Sequence, residues 1–355
     1  MKTWVEIDGS FGEGGGQVIR TSLTLSALTG RPVVIHNIRK NRRNPGLAPQ
    51  HLTNVLALAE ICDAKVEGAE IGSMKLLFEP QAKSRAGRYS FDVTEAVQKG
   101  SAGSVTLILQ TLLLPLAFTK AKSHLVLRGG TNVAWSPPYE YIAHVFLPTL
   151  ERMGIKAQCR LNTPGFYPVG GGEITVEIFG SASLMPLKLN ERGNLQRIWG
   201  NATACNLPAH IPQRMADRAG AILKNIGFSA EITQRNERCA GSGTGIFLTV
   251  QYEHALAGFS ALGKPGKPSE EVAEEMCACL IEHHESGASV DRYLADQLLL
   301  PMSLADGVSE FKTACISSHL VTNAHIIRQF IDVKIFIDAD VGEPGSVVVS
   351  GAALF

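Results

Sequence analysis

A succession of helix and strand that returns three times governs how this 355-residue chain can fold. One apolar helical run reads QTLLLPLAF from Gln110 and another DQLLLPMSLA from Asp296, with LLLP at the same offset. A looser copy, VIRTSLTLSALTG, starts at Val18. Each leads into a β-like run: PVVIHNIR, HLVLRG from His124, and FKTACIS from Phe311. A second helix then opens at His51, Tyr139 and His319, with Ile142, Val145, Phe146 and Leu150 at helical spacing in the middle copy. Two strand-like runs divided by Gly or Pro signals close every copy. Helices alternating with strands bury their apolar stripes on sheet faces, so an α/β layered architecture follows. Units this long are not solenoid repeats, and three of them imply a closed pseudo-threefold arrangement.

The second and third copies are separated by a stretch of domain size that does not follow the pattern. It reads as a strand (NLQRIWGNATA), a helix (IPQRMADRAGAILKNIG), three short strands and a closing helix from Ser269. Glu270 and Glu271 in the first turn of that last helix suit its dipole. The expected organisation is a large domain from residues 1–182 and 288–355, with a smaller α/β domain inserted at 183–287.

Composition excludes several classes. Apolar residues at 45% and charged residues at 19% are those of an ordinary globular chain. The most apolar stretch, from Leu107 to Phe118, is interrupted by Gln110, Thr111 and Pro115 and is too short to span a bilayer. No membrane association is expected, and the N-terminus lacks a secretory h-region, so a cytoplasmic location is expected. Seven cysteines without CxxC pairing read as buried or incidental thiols and not as a disulfide framework or zinc site. His283 and His284 read as surface residues at a helix end. The net charge is zero, so any nucleic-acid contact must be local. Arg39, Lys40, Arg42 and Arg43 form one such basic cluster, which charge alone does not distinguish from a solvated loop.

Two loops of small residues precede equivalent helices: GEGGGQ around Gly12 to Gln17, and GSAGS at Gly100 to Ser104. Such loops let backbone approach a phosphate at a helix N-terminus, or allow tight packing at a repeat junction. The first lacks the GK[ST] of a P-loop and the spacing of a dinucleotide fingerprint. Glu13 sets a carboxylate among its glycines, a candidate ligand for a divalent cation bridging to phosphate. Arg20 follows on the same helix. His319 opens a helix after Ser317-Ser318, where the dipole disfavours imidazolium and leaves a neutral nitrogen free to attack. His51 holds the equivalent place in the first copy, and either histidine could equally cap or pack.

The segments GEGGGQVIRTSLTLS, IRKNRRNPGLAPQHLT, GSAGSVTLILQTLLLP, RGGTN, GFYPVGGG, YLADQLLLP and SSHLVTN resemble, in order, those of the RNA 3′-terminal phosphate cyclases. The resemblance is close over about two-thirds of the chain and looser in the insert. It implies three βαβαββ units about a pseudo-threefold axis with an inserted small domain. It also implies conversion of an RNA 3′-phosphate to a 2′,3′-cyclic phosphodiester, with ATP as co-substrate and a divalent metal, Mg2+ or Mn2+. By motif match His319 becomes adenylylated, Glu13 holds the metal, and Gln110, Tyr293, Leu294, Ala295, Asp296 and Gln297 meet ATP. Arg20, Arg39, Arg42 and Gln50 match positions that handle triphosphate or the RNA end. Partners implied are RNA with a 3′-phosphate end and ATP, and a homodimer is left open. Two rivals are a non-catalytic relative acting in ribosome assembly, which lacks the nucleophilic histidine, and an enolpyruvyl transferase, which leaves YLADQ and SSHLVTN without a purpose.

Overall fold

In the first copy, β1 (Val5–Asp8), α1 (Gly16–Thr29), β2 (Val33–His36), α2 (Pro49–Cys62), β3 (Lys65–Glu67) and β4 (Leu76–Glu79) form a sheet of order β1-β2-β4-β3. The computed structural model describes residues 3–96 and 102–354, so Gly100 and Ser101 of the GSAGS loop lie outside the described residues. The second copy has β5 (Arg88–Asp92), α3 (Val105–Ala117) and β6 (Ser123–Gly129). Its next helix begins as α4 (Tyr139–Tyr141), runs through a π-helical segment (Ile142–Phe146) and ends as α5 (Leu147–Glu151). Strands β7 (Ala157–Thr163) and β8 (Gly172–Ile178) complete a sheet of order β5-β6-β8-β7.

The third copy opens with β9 (Lys188–Leu189). The chain then departs into β10 (Leu195–Cys205), α6 (His210–Asn225), β11 (Ala230–Glu237), β12 (Gly243–Tyr252), β13 (Leu256–Leu262) and α7 (Ser269–Ser286). It returns as α8 (Arg292–Leu304), β14 (Val308–Thr313), α9 (Ser318–Phe330), β15 (Lys334–Ile337) and β16 (Gly345–Ser350). The sheet order, β9-β14-β16-β15, is that of the other two copies. In each sheet the first two strands are parallel, as a right-handed strand–helix–strand unit requires, and the remaining pairs are antiparallel. Strand β9 is only two residues long and carries no periodic signal, so the sequence hides it among the residues expected in the insert.

Equivalent helices meet at the centre. Helix α3 is buried on almost all sides, as its continuous apolar run demands, and α1 and α8 are buried along most of their length. Pro115 and Pro301 lie in the last turns of α3 and α8, the shared offset of the LLLP runs. Among the described residues no helix is long and apolar enough to cross a membrane.

The intervening segment builds a second core. Its sheet, of order β11-β10-β12-β13, packs Ile198, Leu248, Val250 and Phe259 against Met215 and Leu223 of α6 and Met276 and Leu280 of α7. The opposite face of the sheet turns to the large core: Phe247 belongs to that core and meets Tyr141 edge-on, ring centroids 6.4 Å apart. The strands are longer than expected, seven to ten residues each for β11, β12 and β13.

Two sequence expectations are corrected here. Cys205, at the end of β10, and Cys239, beyond β11, form a disulfide; the parallel pairing of those strands brings together cysteines that sequence spacing keeps apart. His283 is buried and not on the surface, lying against Tyr252 and Phe259, and neither ring nitrogen is hydrogen-bonded among the described residues. His284 is partly exposed and shares a hydrogen bond of 3.1 Å with the Tyr252 hydroxyl. The other thiols behave as packing groups: burial pushes Cys62, Cys159 and Cys277 up to about 12.

Candidate active site

The residues expected to do chemistry come from loops and helix starts of all three copies. The turn before α1 is held by its glycines: Gly12 and Gly14 have φ of +60° and +57°, and a side chain on Gly12 would collide with the Thr322 hydroxyl of α9. That hydroxyl accepts the Glu13 backbone N–H at 3.1 Å, tying the first-copy loop to the third-copy helix. The same close approach brings Glu13 to His319: Glu13 Oε1 lies 3.7 Å from His319 Nδ1. The Glu13 side chain is 6% exposed and that of His319 50%, so the carboxylate is sunk behind a solvent-facing imidazole. Arg42 closes the other side, pairing with Glu13 Oε2 and donating to the Glu13 carbonyl at 2.6 Å.

His319 occupies the first turn of α9, whose start is capped by Ser317 Oγ accepting from Leu320 N–H at 3.0 Å. Partial burial lowers its pKa, Glu13 opposes this, and Arg20 and Arg42 reinforce it. The imidazole is therefore neutral at pH 7, with a lone pair available.

Arg20 lies near this pair. It is half-buried, donates to Gln17 Oε1 at 2.5 Å, and desolvation lowers its pKa to about 10 against the attraction of Glu13 and Asp296. A guanidinium still carries its charge under those conditions. Arg39 has φ of +51° and donates to the Gly46 carbonyl at 2.9 Å; burial and Arg42 lower its pKa. Gln50 accepts the Ser104 N–H at 3.0 Å and so joins the first-copy arginine loop to the N-cap of α3. Arg43 is exposed on the same loop.

His51 does not share the setting of His319. It is buried, its Nδ1 accepts the Ala48 N–H at 3.1 Å, and its Nε2 abuts Gly16. Burial, Arg39 and Arg20 drive its pKa down to about 3. It is a capping histidine, one of the two readings its position allowed.

A cavity of about 50 Å³ lies between the three equivalent helices, lined among others by Arg20, Thr24, Gln110, Asp296, Gln297 and Asn323. Gln110 Nε2 donates to Gln297 Oε1 at 2.6 Å across it. Burial raises the Asp296 carboxyl to about 7 despite the nearby Arg20. Tyr293 is half-exposed in the first turn of α8, whereas Leu294 and Ala295 are wholly buried and can offer a ligand only backbone. Sequence reasoning missed Thr322, Asn323 and Gln17. Asn323 receives the Thr21 hydroxyl at 2.6 Å and donates to the Asp296 carbonyl at 2.9 Å. Asn323 and Thr322 stand in the SSHLVTN segment, but only the packing of α1 on α9 gives them partners.

A divalent cation would find a restricted set of donors. No group of three His, Cys, Asp or Glu side chains forms a cage among the described residues. Among the described residues the buried oxygen Glu13 Oε1 has no hydrogen-bond partner, and it faces the histidine. That donor set fits a cation held by one carboxylate and completed by substrate phosphate and water, the habit of magnesium.

Fold and site together define an α/β protein with three like-ordered sheets, one inserted domain, and a neutral histidine set among a carboxylate and arginines. The chain belongs to the RNA 3′-terminal phosphate cyclase family, whose model matches residues 11–337. It is similar to proteins named RNA 3′-terminal phosphate cyclase from Methylococcus capsulatus, at 52% identity over 94% of both chains, and from Trichormus variabilis, at 52% over 92% of this chain and 94% of the relative. The protein of that name from Thermococcus kodakarensis is 42% identical over 99% of both.

Proposed function

We propose that this chain is an ATP-dependent RNA 3′-terminal phosphate cyclase working through a covalent histidine–AMP intermediate. The observation that carries the reading is the meeting of a neutral, half-exposed His319 with Glu13, Arg20 and Arg42 in one place. The family to which the chain belongs supplies the substrate class.

His319 Nδ1 faces Glu13, which leaves Nε2 to attack when the ring proton resides on Nδ1. Nε2 forms a bond to the α-phosphorus of ATP, and the bond from that phosphorus to the bridging oxygen breaks, releasing pyrophosphate. An oxygen of the RNA 3′-phosphate then displaces the histidine from AMP and gives RNA(3′)pp(5′)A. The vicinal 2′-hydroxyl oxygen attacks the 3′-phosphorus, its proton is lost, and AMP departs as the 2′,3′-cyclic phosphodiester closes. Dividing the transfer this way converts a phosphate with poor leaving groups into one with AMP as leaving group.

The cationic groups bear the charge of these steps. Arg20 and Arg42 flank Glu13 and suit non-bridging phosphate oxygens with their planar forks. Arg39 and Gln50 are the proposed contacts to the RNA end. Gln110, Asp296 and Gln297 line the cavity between the helices, and with Tyr293 and the backbone of Leu294 and Ala295 they are the proposed ATP contacts. Glu13 would hold a magnesium or manganese ion, which when bound supplies charge neutralisation to the triphosphate.

The test is incubation with ATP labelled at the α-phosphate and a divalent metal. Wild type should acquire an acid-labile, base-stable label, as a phosphoramidate does, and His319→Ala none. Equal labelling of the two would refute the nucleophile, and no labelling of wild type would refute the mechanism.

A further inference from the structure

The third copy departs from the other two at a single point, the link between its first strand and first helix. In the first copy this link is a short loop of small residues leading to the N-cap Gly15 of α1, and in the second its described part runs from a 3-10 turn at Val93–Ala96 and, further on, through Ala102 and Gly103 to the N-cap Ser104 of α3. In the third it is the whole excursion from β10 to α7, and the N-cap of α8 is Asp291. The insert thus emerges between the first strand and first helix of its copy, and it ends a few residues before the helix proposed to meet ATP.

Asp291 is fully buried and makes contacts in three directions. Its Oδ1 accepts the Tyr293 and Leu294 N–H groups, both at 2.9 Å, and so caps α8. The Tyr141 hydroxyl donates to Oδ1 at 2.8 Å and lies 3.0 Å from Oδ2. The Gly258 N–H of strand β13, in the inserted sheet, donates to Oδ2 at 3.3 Å. One carboxylate therefore joins the second copy, the insert and the start of α8. Two features of the surroundings serve this junction. Tyr141 immediately precedes the π-helical segment, a local rewinding that recurs at functional places in helices. A Cβ on Gly258 would stand 2.8 Å from Tyr141 Cδ2, 2.9 Å from Val145 and 3.0 Å from Phe247, so glycine is what allows the strand this close.

We infer that Asp291 is a positioning residue through which the inserted domain holds the first turn of α8, and with it Tyr293 and the Leu294–Gln297 backbone, in place for ATP. The inference rests on the proposed assignment of that turn to ATP. The insert thereby acts on the nucleotide side of the site: its sheet bears on that side by way of Gly258 and Asp291, without lending a side chain to the chemistry.

Asp291→Asn separates the cap from the tether. Its carbonyl oxygen can still cap α8, and its amide can donate to the Tyr141 oxygen. That amide then faces the Gly258 N–H, donor against donor, so of these hydrogen bonds only the one to the insert is lost. Asp291→Ala removes cap and tether together. For both variants and wild type, ATP affinity is measured by equilibrium titration, which needs no turnover. Transfer of AMP from enzyme already adenylylated to RNA with a 3′-phosphate is timed separately, and thermal midpoints are recorded. Asp291→Asn should weaken ATP binding by about fivefold or more while leaving AMP transfer within about twofold and the midpoint near wild type. Asp291→Ala should weaken ATP binding and lower the midpoint as well. Wild-type ATP affinity in Asp291→Asn overturns the inference, as does parallel weakening of ATP binding, AMP transfer and thermal midpoint, the mark of a purely structural role. Failure of wild type to acquire label from ATP would count against the proposed function alone, because the ATP titration still reports on Asp291; failure of wild type to bind ATP would overturn both.

Discussion

Glu13 touches two things at once, and this sets the behaviour of the histidine beside it. Its Oε1 faces His319 and its Oε2 pairs with Arg42, so the carboxylate attracts a proton to the imidazole while Arg20 and Arg42 repel it. The sum with burial is a pKa below 6.5. In the proposed mechanism only the neutral imidazole attacks, so adenylylation should be level above pH 6.5 and fall as acid protonates the ring below it. Glu13→Gln removes the one influence that raises this pKa and leaves the two arginines. The acid limb of the label-uptake rate should then move to lower pH, even as the rate itself falls with the loss of the proposed metal ligand. A limb moving to higher pH would mean that Glu13 does not act on His319 as the geometry requires. The sequence singled out His319 and Glu13 as candidates through motifs and their place before helices. It could not rank His51 against His319 by local chemistry, because both begin second helices; burial separates them, and burial is a property of the assembled fold.

The elements carry the site through polar stitches between apolar helices. Helices α1, α3, α8 and α9 bury mostly Leu, Ile and Val, yet Thr24 Oγ1 donates to the Thr111 carbonyl at 3.0 Å, and Gln110 to Gln297 at 2.6 Å. Thr21, Asn323 and the Asp296 carbonyl form a third stitch. Asn323→Leu removes one partner each from the Asp296 carbonyl and from the Thr21 hydroxyl, which keeps the Gln17 amide at 3.3 Å, and costs roughly 0.5–1.5 kcal/mol per lost hydrogen bond. Its urea midpoint should fall accordingly, and ATP affinity with it, since Asp296 lies on the cavity wall. Unchanged midpoint and affinity would show that the stitch is idle. At this scale the repeat was readable from LLLP runs and alternating helices and strands. Strand order was not, because pairing between β2 and β4 across a helix leaves no local trace. Neither was the Thr21–Asn323 pair, separated by 302 positions in the chain. The disulfide of Cys205 and Cys239 escaped for the same reason.

At the scale of the molecule the described residues form two cores, and each contains a histidine held neutral by burial. His51 lies in the large core beside Arg39 and Arg20, and His283 in the inserted core beside Tyr252, Phe259 and Arg192; both have pKa values near 3. An unfolded histidine takes up a proton near pH 6.5. Between those two values the unfolded chain binds more protons than the folded one at each site, so stability rises with pH there and is lost as pH falls from 6.5 toward 3. The two sites differ in what a neutral replacement does. His51 has a hydrogen bond to lose, whereas both His283 nitrogens lack partners among the described residues. His283→Leu should therefore hold or raise stability at pH 7, because replacing an unsatisfied polar ring with an apolar group removes a desolvation cost. It should also flatten the fall of stability between pH 6 and pH 4 by about one proton's worth of slope. His51→Leu should flatten the slope too but lower stability at pH 7, leaving the Ala48 N–H uncapped at the start of α2. Urea midpoints of the three proteins across that pH range decide the matter. An unchanged slope in His283→Leu would mean that the ring is protonated in the fold, and its surroundings in the insert would then have to supply a partner that the packing of α7 on β12 and β13 does not give it.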